Sequence, residues 1–178
     1  MRMLPAAVFA TLALLVLPPV ASAQRPGRLA LIDDWKHQQK YILAVIDSAS
    51  PEMLDFRPTK GVRTFAEQIY HIASVASRLV SDGVTGKPLP PDLLGDSAVY
   101  LHDRAQLRAM AERHLTWILS VLSSLSDEDL LPERTFAGGA MPRWRWNMTA
   151  LQHSGWTLGQ LVPYLRLNGR TPPQFTPF

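Results

Sequence analysis

A chain of 178 residues with 47% hydrophobic and 19% charged residues has the size of one domain and is too apolar to be disordered. Its net charge of +3 comes from scattered positive residues, without the basic stripe that marks nucleic-acid binding. It has no cysteine, which excludes disulfides, a thiol nucleophile, a thiolate metal ligand and a lipidated cysteine anchor; any metal chemistry must use His, Asp or Glu.

The first segment, MRMLPAAVFATLALLVLPPVASAQ, reads as a secretory signal. Arg2 precedes an apolar run over 4–20, and Ala21-Ser22-Ala23 supplies the small residues of a cleavage site. The run is short for a membrane span, and Pro18-Pro19 would break a helix. The expected product is a signal peptide at 1–23 and a mature domain at 24–178 with no stable membrane span, exported to the periplasm or secreted.

In the mature chain, Leu29, Ile32, Trp35, Ile42, Leu43 and Ile46 recur at helical spacing, with Asp33, Asp34, Lys36 and Lys40 largely on the other side. The pattern predicts a helix over 28–48, stopped by Pro51. A connection with Pro51, Pro58 and Gly61 follows. Thr64 and Glu67 have the spacing of a capping box and open a second helix with the apolar stripe Phe65, Ile69, Ile72, Ala76 and Leu79. Gly83 and Gly86 are expected to end it. A proline-rich loop leads to a third helix over 103–125, whose inner face is Leu107, Met110, Ala111, His114, Ile118, Val121 and Leu125.

The stretch 126–146 reads as an irregular crossing. In it, Trp144 and Trp146 alternate with Arg143 and Arg145 and are expected to cover the end of the fold. The fourth helix is expected to take Asn147 as its N-cap, to kink at Pro163 and to end at Gly169, ahead of Pro172-Pro173. Gly155 and Gly159 give it a face that would let a neighbouring helix approach closely. No credible set of strands is visible. Four amphipathic helices bury their apolar sides by forming a bundle, so the expected fold class is all-α, an up-down-type four-helix bundle.

Of the five histidines, His71 and His153 sit in the middle of the second and fourth helices, where a bundle can build a site from inward side chains. Two histidines at i and i+4 share a helix face and make an economical half of a metal site. Four residues after His153, however, stands Thr157, a poor ligand for a transition metal. A third partner would have to come from elsewhere, with His37, Asp33, His114 and Gln160 as candidates. The other reading of both histidines is as neutral groups held by hydrogen bonds. No G-x-S-x-G, H-E-x-x-H, P-loop or dinucleotide fingerprint is present.

Two stretches, FRPTKGVRTFAEQIYHIASV and LQHSGWTLGQLVPYLRLNGRTPP, resemble the DinB-like family of bacterial four-helix bundles. The matching residues are Glu67, His71, Ile72 and Ala73 in the second helix. In the last helix they are His153, Gly159-Gln160, Tyr164-Leu165-Arg166, Asn168-Gly169 and Pro172-Pro173. The resemblance covers 29–173. It implies a divalent metal, zinc or nickel, on three histidines, one from the second helix and two from the fourth. His71 and His153 match two of them and the third falls on Thr157.

It further implies a metal-dependent hydrolase or transferase, with Thr157, Gln160 and Tyr164 towards the substrate, and a homodimer. The thiol-dependent transfers of some relatives are cytosolic reactions, which an export signal disfavours. The alternative is a non-catalytic bundle that has lost the metal and binds a small ligand or a partner in the inter-helix cleft.

Overall fold

The computed structural model describes residues 25–93 and 95–176. The signal-peptide expectation lies outside the described residues. Among those described, no helix is long and apolar enough to cross a membrane.

Helix α1 spans Arg28–Ser48 and buries Leu31, Trp35, Ile42 and Ile46, whereas Leu29, placed on the apolar side by its spacing, is exposed. A single 3-10 turn, Pro51–Met53, follows. Helix α2 spans Phe65–Arg78 and opens with the expected capping box. The Thr64 hydroxyl accepts from the Glu67 N–H at 3.2 Å, and the Glu67 carboxylate accepts from the Thr64 N–H at 2.7 Å. The helix does not stop at Gly83. It widens into a π-helical stretch, Leu79–Thr85, and ends at Gly86, whose φ of 65° only glycine adopts cheaply.

Gly83 has a different task. A Cβ there would come within 2.7 Å of the Trp146 ring, so this glycine lets the π-helical stretch lie directly on that indole. Trp146 is buried and donates its indole N–H to the Arg134 carbonyl at 2.9 Å.

A one-turn helix α3, Ser97–Tyr100, precedes α4, Arg104–Ser123, where Asp103 caps the start by accepting from the Gln106 N–H at 2.9 Å. The crossing after α4 is more ordered than its composition predicts. Strands β1, Glu133–Phe136, and β2, Gly139–Pro142, form an antiparallel hairpin with Glu133 opposite Pro142 and Phe136 opposite Gly139. The two-residue turn puts Ala137 at φ 51° and Gly138 at φ 80°, the positive-φ pair that a tight hairpin turn requires.

Helix α5 begins at Arg143, not after Asn147, and runs to Gly159. Its first amide groups are satisfied by the crossing itself. Arg143 N–H donates to the Pro132 carbonyl at 3.1 Å and Trp144 N–H to the Leu130 carbonyl at 3.0 Å, so no side-chain cap is required. Asn147 lies inside the helix, fully buried, and accepts from the Trp35 indole N–H at 3.0 Å.

The expected kink is a break at Gln160, because Pro163 has no N–H for the Gly159 carbonyl. Helix α6, Leu161–Leu167, then closes in a Schellman motif. Arg170 N–H reaches the Leu165 carbonyl at 2.9 Å and Gly169 N–H reaches that of Arg166 at 3.1 Å, with Gly169 at φ 68°.

Each of α1 and α2 packs against both α4 and α5, so α1 and α2 stand across the bundle from one another. Trp35, Phe65, Ile69, Met110, Ile118 and Leu165 fill the space between them. Each such aliphatic or aromatic side chain contributes about 1.5–3 kcal/mol on burial. The close approach expected at Gly155 and Gly159 is not found. A Cβ at either would meet nothing within 4 Å among the described residues, so these glycines face open space.

Candidate functional site

Where α2 lies beside α5, the surface opens into a cleft of about 430 Å³. Helix α5 supplies Thr149, Gln152, His153, Trp156 and Thr157, a spacing of three and four residues that puts all five side chains on one face. His71 faces them from the middle of α2, while Arg63, just before the α2 cap, and Gln160, at the helix break, complete the walls. The rings of His71 and His153 meet edge to face, 5.1 Å between centroids and 70° between planes. The pairing follows from packing. Each histidine sits mid-helix on the flank of its apolar stripe, and the contact between α2 and α5 brings the two flanks together.

Both imidazoles are held below the ordinary histidine range. Burial is the main cause for each, and the Arg63 guanidinium adds to it; for His71 the neighbouring His153 adds a further, smaller push. Near neutral pH they are uncharged hydrogen-bonding groups. The Nδ1 of His153 is buried without a hydrogen-bond partner among the described residues.

Thr157 is only 2% exposed and lies one turn beyond His153 on the same face. The Gln160 side chain is held by the buried Gln68, whose amide donates to it at 2.7 Å. Tyr164 is elsewhere. It is buried against Phe56 and Phe65, and its hydroxyl donates to the Arg63 carbonyl at 2.8 Å. It borders a second cleft of about 620 Å³, with Pro58, Val62 and Pro163, and this cleft shares Arg63 and Gln160 with the first.

The other candidate third partners do not reach the histidine pair. His114 is fully buried and hydrogen-bonded to Ser77. His37 lies on α1 against Tyr41 and the carbonyl of Thr176, and Asp33 pairs with Lys36 at 3.1 Å. Arg63, Thr149, Gln152 and Trp156 line the cleft beyond the residues to which the family resemblance points. The three α5 residues share the helical face of His153, a signal that its i−4, i−1 and i+3 positions carry. Arg63 had no such signal, since its place depends on how the α2 entry folds over the α5–α6 break.

The chain belongs to the DinB superfamily, whose sequence profile matches residues 34–173. Two solved structures of DinB-like proteins share the fold. The one from Bacillus cereus has a TM-score of 0.74 at 21% identity, covering 86% of this chain and 100% of its own. The one from Bacillus subtilis has a TM-score of 0.64 at 16% identity, covering 82% and 95%. No curated protein sequence is significantly similar to this chain.

The residues of the cleft do not fit a resident metal of the three-histidine kind. Among the described residues no three His, Cys, Asp or Glu side chains are placed to hold an ion. The described lining has no carboxylate to offset a double positive charge, and Arg63 adds a charge of the wrong sign.

Proposed function

We propose that this chain is an exported DinB-superfamily bundle whose α2–α5 cleft binds a small molecule without a resident metal. The observation that carries this reading is the lining itself, in which two neutral imidazoles stand with Arg63 and no carboxylate of a described residue faces them. A cleft of about 430 Å³ is also within the range of small-molecule sites. The side chains on offer are hydrogen-bond donors and acceptors around one exposed aromatic ring, Trp156. His71 and His153, being neutral, can accept a proton from a bound ligand, with Thr157 and Gln160 beside them.

The test is a nuclear magnetic resonance screen of the mature domain, 24–178, against a library of small organic molecules. Ligands are expected to shift the resonances of His71, His153, Gln152 and Trp156 together, and His71→Ala and His153→Ala to weaken them. A library that shifts none of these residues, or shifts them equally in the alanine variants, overturns the reading.

A second reading places zinc or nickel on His71 and His153 in a metal-dependent hydrolase or transferase. It is favoured by the buried, unpartnered Nδ1 of His153, which a cation could satisfy. Metal titration separates it from the first. It requires stoichiometric uptake by the wild type that both alanine variants lose.

A further inference from the structure

We infer that the ligand of this cleft is a small organic anion, a carboxylate or a phosphate ester, whose charged group pairs with Arg63 and whose body lies between His153 and Trp156. The inference rests on the small-molecule reading above and narrows it to a chemical class.

Arg63 is the one side chain with a permanent charge among the described residues lining the cleft. It is exposed, and no carboxylate of a described residue lies within ion-pair distance of its guanidinium. The acid nearest along the chain is already committed. Glu67 accepts from the Thr64 N–H at 2.7 Å and stands 3.6 Å from the Arg57 guanidinium. An arginine in a concave site, with no acid of its own, is a guanidinium fork open to a carboxylate or phosphate from outside.

The root of this side chain is fixed on its C-terminal side. Tyr164 holds the Arg63 carbonyl at 2.8 Å, and the next residue, Thr64, is locked in the α2 capping box. Ordering the backbone therefore adds little to the cost of binding. The rest of the lining agrees with an anion. The amides of Gln152 and Gln160 and the hydroxyl of Thr157 can donate, and neutral imidazoles donate through one nitrogen, whereas the Thr149 hydroxyl already donates to the Arg145 carbonyl at 2.9 Å. Burial and, to a lesser extent, Arg63 itself favour the uncharged form of both imidazoles, which leaves Arg63 as the charge that a ligand meets among the described lining residues.

Arg63 and Gln160 also border the second cleft, so an anion at Arg63 sits at the junction of the two. A ligand longer than the first cleft can extend past it towards Val62 and Pro163.

The probes are benzoate, phenyl phosphate and the neutral benzamide, titrated into the mature domain by calorimetry and by chemical-shift mapping at constant ionic strength. Benzoate, phenyl phosphate or both are expected to bind in the cleft, and the preferred one distinguishes a carboxylate site from a phosphate site. Arg63→Gln is expected to weaken that anion about tenfold or more, with Arg63→Lys between the two and benzamide indifferent to either change. Circular dichroism of the Arg63 variants, altered at an exposed position, checks that the fold is intact. If benzamide binds in the cleft as tightly as the anions, or Arg63→Gln leaves them unchanged, the anion inference falls and the small-molecule reading stands. If no probe shifts a cleft residue, the anion inference falls, and the library screen alone decides the broader reading.

Discussion

His71 on α2 and His153 on α5 stand edge to face, 5.1 Å apart, with Thr157 one turn further along α5 on the side of His153. Thr157 occupies the position at which the family resemblance expects the third histidine of a metal site. Thr157→His is therefore expected to create tight zinc binding, about 100-fold above the wild type, since loss of even an outer-shell partner costs 10–100-fold. Competition with a chromogenic chelator measures it. Adding His71→Ala to Thr157→His should abolish the gain, and a Thr157→His variant no tighter than wild type would show that the third position does not reach the pair.

The two imidazoles should titrate below the usual histidine value of about 6.5. Arg63→Gln is expected to raise both without restoring either, because burial is the larger cause and remains. Proton or nitrogen resonances of the rings, followed against pH in both proteins, provide the readout. Values for His71 and His153 that do not move in Arg63→Gln would place the guanidinium too far from the rings to act on them.

His114 predicts an acid sensitivity that has nothing to do with the cleft. Burial, and to a lesser extent Arg113, push its pKa down to about 3. The folded value lies below the unfolded one, so the unfolded state binds more protons between them and stability rises with pH in that window. The contribution is fully present above about 6.5 and is lost progressively as pH falls towards the folded value. Its size is on the order of a few kcal/mol at the bottom of the window. Urea unfolding from neutral pH downward should show this fall in the wild type. The slope should be shallower in the double variant His114→Leu, Ser77→Ala, which removes the imidazole and its hydroxyl partner together.

The glycines divide into two kinds that helix pattern alone does not separate. Gly155→Ala adds a methyl to open space on a helix and should stabilise the protein by about 0.5–1 kcal/mol. Gly83→Ala drives a methyl against Cγ and Cβ of Trp146, atoms close to their own backbone that cannot swing away, and should cost about 1–3 kcal/mol. Thermal melts of the two variants are expected to move in opposite directions. A destabilising Gly155→Ala would show that this face packs against something after all.

What the sequence determined by itself is what depends on neighbours a few residues away. The extent of α1, the capping box at Thr64 and Glu67, the break before Pro163 and the Schellman close at Gly169 all use contacts within one or two turns, so the local pattern carries them. The pairing of His71 with His153 was legible only through the family resemblance, since no spacing on either helix encodes the other.

Tertiary structure decided the rest. Helix α5 starts at Arg143 because carbonyls of Leu130 and Pro132 accept its first amides, and that leaves Asn147 inside to satisfy the indole of Trp35. The hairpin exists because β1 and β2 pair with each other across a turn that composition alone did not distinguish from an irregular loop. Arg63 enters the cleft because Tyr164 ties its backbone to α6. Each of these rests on a hydrogen bond or contact whose partner is distant in the chain or set by the fold around it, which is why the charge that most shapes the candidate site left no mark in the pattern of the sequence.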